Sequence, residues 1–373
     1  MPEIMPGNKK LFCTKPFQWF EISRGESEGQ VFLCCPAWLD TSVGNLNTQS
    51  VEQVWNGKMA QDIRRSILDG SFEYCSQVRC PYLQTVSGPV RRVEDVTDPE
   101  MRAIIDQQRV VLPYGPRDIN CSYDRSCNLS CPTCRTRVIV ESQRKEEILG
   151  IQQKLNDQAL RDAKMLYITG SGDPFGSPFF RRWLQTMKRA DMPQLEKIHL
   201  HTNAQLWTPT MWETIPAEIR ALIQEADISV DAVTAETYAI NRRGGTFERL
   251  WQNLEFISRL RANGPLKWVG LSMVVQENNF GEMPEFVRLA QRFNFNTAHF
   301  QQLVNWGTFT HEEFIQRAIH LPSHPRHHEF AKLLQHKIFE EPIVYLGNLT
   351  DVRRRSLSKR SWLPEVFKMM VER

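Results

Sequence analysis

The chain has 373 residues, 41% of them hydrophobic and 24% charged, and a net charge of +3. That length suits two domains or one large α/β domain with an appendage, and so small a charge gives no indication of nucleic acid. The longest apolar stretches, such as 268–275, are strand-sized, and the start MPEIMPGNKK lacks an apolar core. Neither a membrane span nor a secretory signal is expected, and the location read from this is cytoplasmic. Nine cysteines in such a chain argue for metal or redox chemistry over disulfides, and all nine lie at or before Cys134.

In chain order, Cys13, Cys34, Cys35, Cys75 and Cys80 come first, the opening pair spaced CX15GX4C around Gly29. A helical insert over 50–68 separates Cys35 from Cys75. Cys13, Cys34, Cys75 and Cys80 supply four thiolates, a full shell for an iron–sulfur cluster or for a zinc ribbon, with Cys35 spare. Residues 84–115, rich in Pro, Gly and charge, read as a connector with one short helix near Asp98. A strand at 118–123 carries Cys121, and Cys127, Cys131 and Cys134 follow at CxxxCxxC spacing on one loop. Three thiolates leave one iron of a 4Fe–4S cube open to a group that is not protein, and an open position is where chemistry happens. A zinc knuckle with a fourth ligand is the alternative, although no histidine precedes His199.

Further strands are expected at 164–169, 197–202, 227–231, 268–275 and 297–304. They alternate with amphipathic helices at 145–155, 178–189, 247–261 and 283–293, the pattern of a parallel α/β sheet or barrel. Ligands gather at the C-terminal ends of such strands. Those ends hold Gly170, Ser171, Gly172 and Asp173, then Thr202 and Asn203, then Ser229 and Asp231, with Arg242 and Arg243 beyond. Tight turns and capping account for the same residues without a ligand. From Trp306 on, helices are expected; His324 and His328 read as surface polar residues, and the basic run 353–360 as a solvated face.

The cysteine loop with these strand ends resembles the radical S-adenosylmethionine superfamily. That resemblance implies an open partial (β/α)6 barrel and a 4Fe–4S cluster on Cys127, Cys131 and Cys134. The open iron of that cluster is chelated by S-adenosyl-L-methionine, which is cleaved to a 5′-deoxyadenosyl radical that abstracts hydrogen from substrate. Gly170 to Asp173 resembles the GGEP motif, with Asp173 for Glu and Ser171 between the glycines. Asn203 resembles the TN motif, and Ser229 with Asp231 the SxD motif. All are implied to contact the cofactor, and Arg242 is a candidate partner for its carboxylate. The first cysteines resemble a SPASM/Twitch module that holds one auxiliary 4Fe–4S cluster, here placed before the barrel.

The expected division is 1–83 module, 84–115 connector, 116–306 barrel and 307–373 a mostly helical region. The expected function is oxidation or cross-linking of a small metabolite or peptide, with a reductant such as flavodoxin or ferredoxin. Two alternatives stand beside it. One is an epimerase with Cys35 or Cys121 as hydrogen donor; the other is a non-catalytic iron–sulfur electron-transfer or binding protein.

Overall fold

A computed structural model describes residues 11–24 and 28–357; the start MPEIMPGNKK and the last three residues of the basic run lie outside them. The chain divides into two compact units.

The first unit comprises Met1–Ser126, Val140–Leu200 and Ile215–Ile223. It contains β1 (Leu11–Cys13), β2 (Trp19–Arg24), β3 (Glu28–Phe32), β4 (Gly44–Asn45), β5 (Val90–Arg92), β6 (Asp118–Cys121), β7 (Met165–Ile168) and most of β8 (Lys197–Thr202). Strands β2, β6, β7 and β8 are parallel neighbours in that order, and β2 continues through antiparallel pairings into β3 and β4. The cysteine-rich segment therefore contributes a strand beside β6, with Trp19 opposite Asp118 and Ile22 opposite Cys121. The helical insert folds as Val51–Trp55 and Lys58–Leu68, the first opened by a capping box of Ser50 and Gln53.

The second unit comprises Cys127–Ile139, His201–Thr214 and Gln224–Arg373. Its strands β9 (Ile223–Ser229), β10 (Trp268–Val275), β11 (Thr297–Gln302) and β12 (Val344–Tyr345) are all parallel. Helix Phe247–Asn263 buries Leu250, Leu254 and Ile257, and helix Met283–Arg292 buries Phe286, Val287 and Ala290, the helical spacing read from the sequence. Strand β9 begins four residues earlier than expected, because Gln224 and Glu225 mask the alternation that Ile223 and Ala226 start.

Strands β6 to β11 are the six expected. Parallel strands covered on both faces read as continuous apolar runs, yet β8 alternates, with Ile198, Leu200 and Thr202 buried and Lys197, His199 and His201 half-exposed. Strand β9 does the same with Asp227 and Ser229. One strand face thus packs under helices and the other is polar and open, which is what a ligand site on the sheet requires. His324 departs from the surface reading. It is buried, with Nε2 3.0 Å from the Gln316 carbonyl and Nδ1 accepting the Arg326 N–H at 3.1 Å, so it closes a turn, while His328 is exposed.

Candidate metal centres and cofactor site

The cysteine loop of the second unit is folded by its own backbone. Cys127 N–H donates to Ile139 O at 2.9 Å, and the N–H groups of Cys134 and Arg135 both donate to Cys131 O at 2.9 Å. Cys127 and Cys131 are buried and Cys134 is exposed. Each sulfur has a donor beside it: Asn203 Nδ2 at 3.6 Å from Cys127 Sγ, Arg242 Nη1 at 3.8 Å from Cys131 Sγ, and Arg135 Nη2 at 3.2 Å from Cys134 Sγ. Burial pushes the Cys131 thiol up and Arg242 opposes that shift. Donors aimed at sulfur and a nearby guanidinium are the surroundings a thiolate needs, so this donor set fits an iron–sulfur cluster. Among the described residues, no three Cys, His, Asp or Glu side chains are grouped as ligands of a single metal ion.

Arg242 is itself held by Asp231, Nη2 to Oδ2 at 2.8 Å, with Asp231 only 1% exposed. Asp231 adopts φ 60°, in the left-handed region that Asp tolerates better than most residues. Its Oδ1 accepts the Val274 N–H at 2.7 Å, and its carbonyl accepts from Asn241 and Asn279. Arg242 thus meets both Asp231 and the cysteine loop, and its Nε is buried without a hydrogen-bond partner. An orphaned donor of that kind fits the carboxylate of a bound cofactor. Ser229 Oγ lies 3.0 Å from His201 Nε2 and 3.4 Å from Ser272 Oγ on the half-exposed strand face.

Arg243 donates to Ser130 Oγ and to Thr136 O, both at 3.1 Å, and so braces the cysteine loop from the chain after β9. Arg135, Gln205 and Tyr238 were not predicted as part of the site. Gln205 Nε2 bonds Tyr238 Oη at 2.8 Å and Thr246 O at 2.9 Å, fixing the turn after Asn203. Arg135 was detectable from its place directly after Cys134; the Gln205 contacts, spanning 33 and 41 positions, were not.

In the first unit, the loops after β6 and β7 interlock. Gly172 has no room for a side chain: a Cβ there would stand 2.6 Å from the carbonyl oxygens of both Asp124 and Ser126. Ser171 Oγ donates to Ser122 O and Asp124 O, and Thr169, at φ 112°, accepts the N–H groups of Ser171 and Gly172 on its Oγ1. A β-branched residue in that region is strained, and here its hydroxyl holds the turn open. Asp173 is buried, and its Oδ1 accepts from the Phe175 and Gly176 N–H groups.

Also in the first unit, Cys13, Cys34, Cys75 and Cys80 line one small cavity of about 20 Å³ with Lys15, Trp38, Phe72 and Tyr82. Cys35 is not among the lining residues. Burial pushes the Cys13 thiol well up, Cys34 to about 12 and Cys75 to about 11, and the neighbouring sulfurs add to the shift at each. Four thiolates around one cavity are tolerable only beside a strong positive charge, so the donor set fits a metal cluster. Gly29, at φ 79°, lies near the start of β3 where the pairing with β2 shifts register, and a Cβ there would press on Asn45 and Asn47 at 3.0 Å. This explains the glycine between Cys13 and Cys34.

Family comparison agrees with this geometry. Residues 13–81 match SPASM, the iron–sulfur cluster-binding domain, and residues 123–290 match the radical SAM superfamily. The chain thus carries a radical SAM domain with a SPASM domain ahead of the partial barrel, and 4Fe–4S clusters and S-adenosylmethionine are the cofactors of these domains. It is 28% identical over 151 residues to GTP 3′,8-cyclase of Pelotomaculum thermopropionicum, spanning 37% of this chain and 42% of that relative. Among solved structures it is similar to Streptococcus suis SuiB bound to the precursor peptide SuiA, at 12% identity and TM-score 0.41, covering 97% of this chain and 77% of SuiB. It is also similar to the methyltransferase TsrM of Kitasatospora setae, at 13% identity and TM-score 0.37, covering 50% and 36%. No described helix is long and apolar enough to cross a membrane.

Proposed function

We propose that this protein is a radical SAM oxidoreductase that oxidises or cross-links a small metabolite or a peptide, its auxiliary cluster taking the electron released by the substrate. The observation that carries this reading is the lining of one cavity by Cys13, Cys34, Cys75 and Cys80, a complete thiolate set. A fully ligated cluster has no iron open to substrate, so electron acceptance is its natural use. When bound, the cluster on Cys127, Cys131 and Cys134 supplies the electron that splits S-adenosylmethionine into methionine and the hydrogen-abstracting 5′-deoxyadenosyl group.

The chain's own residues then have these roles. Arg242, oriented by Asp231, holds the cofactor's carboxylate; Ser229 and Asn203 border its ribose; and the backbone of Gly170, Ser171, Gly172 and Asp173 meets its amino group. The half-exposed polar strand faces receive substrate, which favours a hydrophilic molecule. Peptide substrates stay within the proposal, since SuiB was solved with its precursor peptide. The reductant is of the flavodoxin or ferredoxin class, and the location cytoplasmic. Residues 1–83, 84–115, 116–306 and 307–373 act as module, connector, barrel and C-terminal region.

Epimerisation needs a thiol hydrogen donor. Cys121 is 0% exposed, on the packed face of β6, which favours oxidation; Cys35 is half-buried. The deciding experiment is anaerobic turnover with metabolite and peptide pools in deuterated water. Product lighter by two hydrogens supports oxidation. Solvent deuterium in a product of unchanged composition, lost on Cys35→Ala, establishes epimerisation instead. Failure to form 5′-deoxyadenosine after reduction with dithionite leaves only the carrier reading.

A further inference from the structure

The cavity that gathers the four cysteines also holds one cation. Lys15 lines it with Cys13, Cys34, Cys75 and Cys80, and it follows Cys13 by two residues at the start of the turn Lys15–Phe17. Its ammonium lies over the Trp19 ring, 3.2 Å from the centroid, which fixes the side chain. The anionic groups in its field are the sulfurs of Cys34 and Cys13 and the carboxylates of Asp118 and Glu21. Asp118 and Glu21 stand on β6 and β2, half-exposed on the polar strand face, and Glu21 is further bonded by the Trp19 indole at 3.2 Å.

An iron–sulfur cluster's potential depends on net charge, hydrogen bonds to sulfur and exposure to solvent. One-electron reduction adds a negative charge to a site that already carries four thiolates. A fixed ammonium at its edge lowers the free energy of that reduced form more than that of the oxidised one.

The geometry points to Lys15 as the residue that tunes the auxiliary cluster: its ammonium, pinned on Trp19 in the lining of the four-cysteine cavity, raises the cluster's reduction potential and makes it an electron acceptor. Lys15 touches neither substrate nor cofactor and is a positioning residue for charge. The inference rests on Cys13, Cys34, Cys75 and Cys80 being the cluster's ligands.

The test is a potentiometric titration, followed by electron paramagnetic resonance, of anaerobically reconstituted full-length protein and its Lys15→Met, Lys15→Gln and Lys15→Arg variants, with iron and sulfide counted in each. Lys15→Met is expected to keep both clusters and make reduction of the auxiliary one at least tenfold less favourable, about 59 mV for a one-electron couple. Lys15→Arg should recover most of that shift, and the potential of the Cys127 cluster should stay in place in every variant. Should Lys15→Met fail to assemble, Lys15→Gln gives the same comparison with a polar head that carries no charge. An unchanged auxiliary potential in a neutral variant with full iron content overturns the proposal, as does an equal shift in Lys15→Arg. Separately, Cys13→Ala and Cys80→Ala test the ligands: auxiliary signals that survive both substitutions defeat the ligand assignment whatever Lys15 does.

Discussion

Asp231 and Arg242 are eleven positions apart and meet at 2.8 Å, with Asp231 almost wholly buried. Removing one member of such a pair strands the other charge, at about 3–5 kcal/mol. Arg242→Gln should therefore lower unfolding free energy by roughly 3 kcal/mol in denaturant titrations. The double variant Asp231→Asn/Arg242→Gln should be less destabilised than the sum of the single changes; an additive result means that the pair is not coupled. Gly172 is constrained by backbone alone, so Gly172→Ala should cost about 1–3 kcal/mol and weaken S-adenosylmethionine binding in equilibrium dialysis. These residue types were legible in the sequence because they fall at strand ends in the family's order. Their partners were not. Asp231 and Arg242 looked like two separate contacts to one cofactor, and only burial of a carboxylate that needs a counter-charge ties them to each other.

Among elements, the six parallel strands were legible from alternation and from the helices between them, whereas β2 was not foreseen as a neighbour of β6. A six-residue strand inside a cysteine-rich segment shows a period but names no partner. Helix Lys58–Leu68 shows how that segment is fastened. Arg64, 0% exposed, donates to Pro16 O and Val110 O at 2.9 Å and to Asn56 Oδ1 at 3.1 Å, and stacks on Trp55. Burial pulls its guanidinium down to about 9, the opposing charges of Tyr114 and Glu52 falling short of the loss of water. Arg64→Ala leaves three acceptors short of a charged donor and should cost about 3 kcal/mol. Near-full stability by thermal denaturation would show that water replaces the guanidinium there.

At the scale of the whole molecule, the two cysteine groups fall in different compact units, Cys13 to Cys80 in the first and Cys127 to Cys134 in the second. Each group is folded by contacts inside its own unit: the cavity with Lys15, Trp38 and Phe72 in one case, and Arg242, Arg243 and Asn203 in the other. Clusters built this way should load and fail independently. The wild type is expected to hold about eight irons and as many sulfides, four of each per cube. Replacing Cys127, Cys131 and Cys134 by Ala should remove about half of the iron and all cofactor cleavage, while the auxiliary signal persists. Conversely, Cys13→Ala should still form 5′-deoxyadenosine from S-adenosylmethionine but lose most product. Cys35→Ala should keep both clusters, because its side chain stands outside the lined cavity. Iron analysis together with Mössbauer spectra of each variant separates these outcomes. Loss of both clusters on either change would mean that the two sites assemble as one.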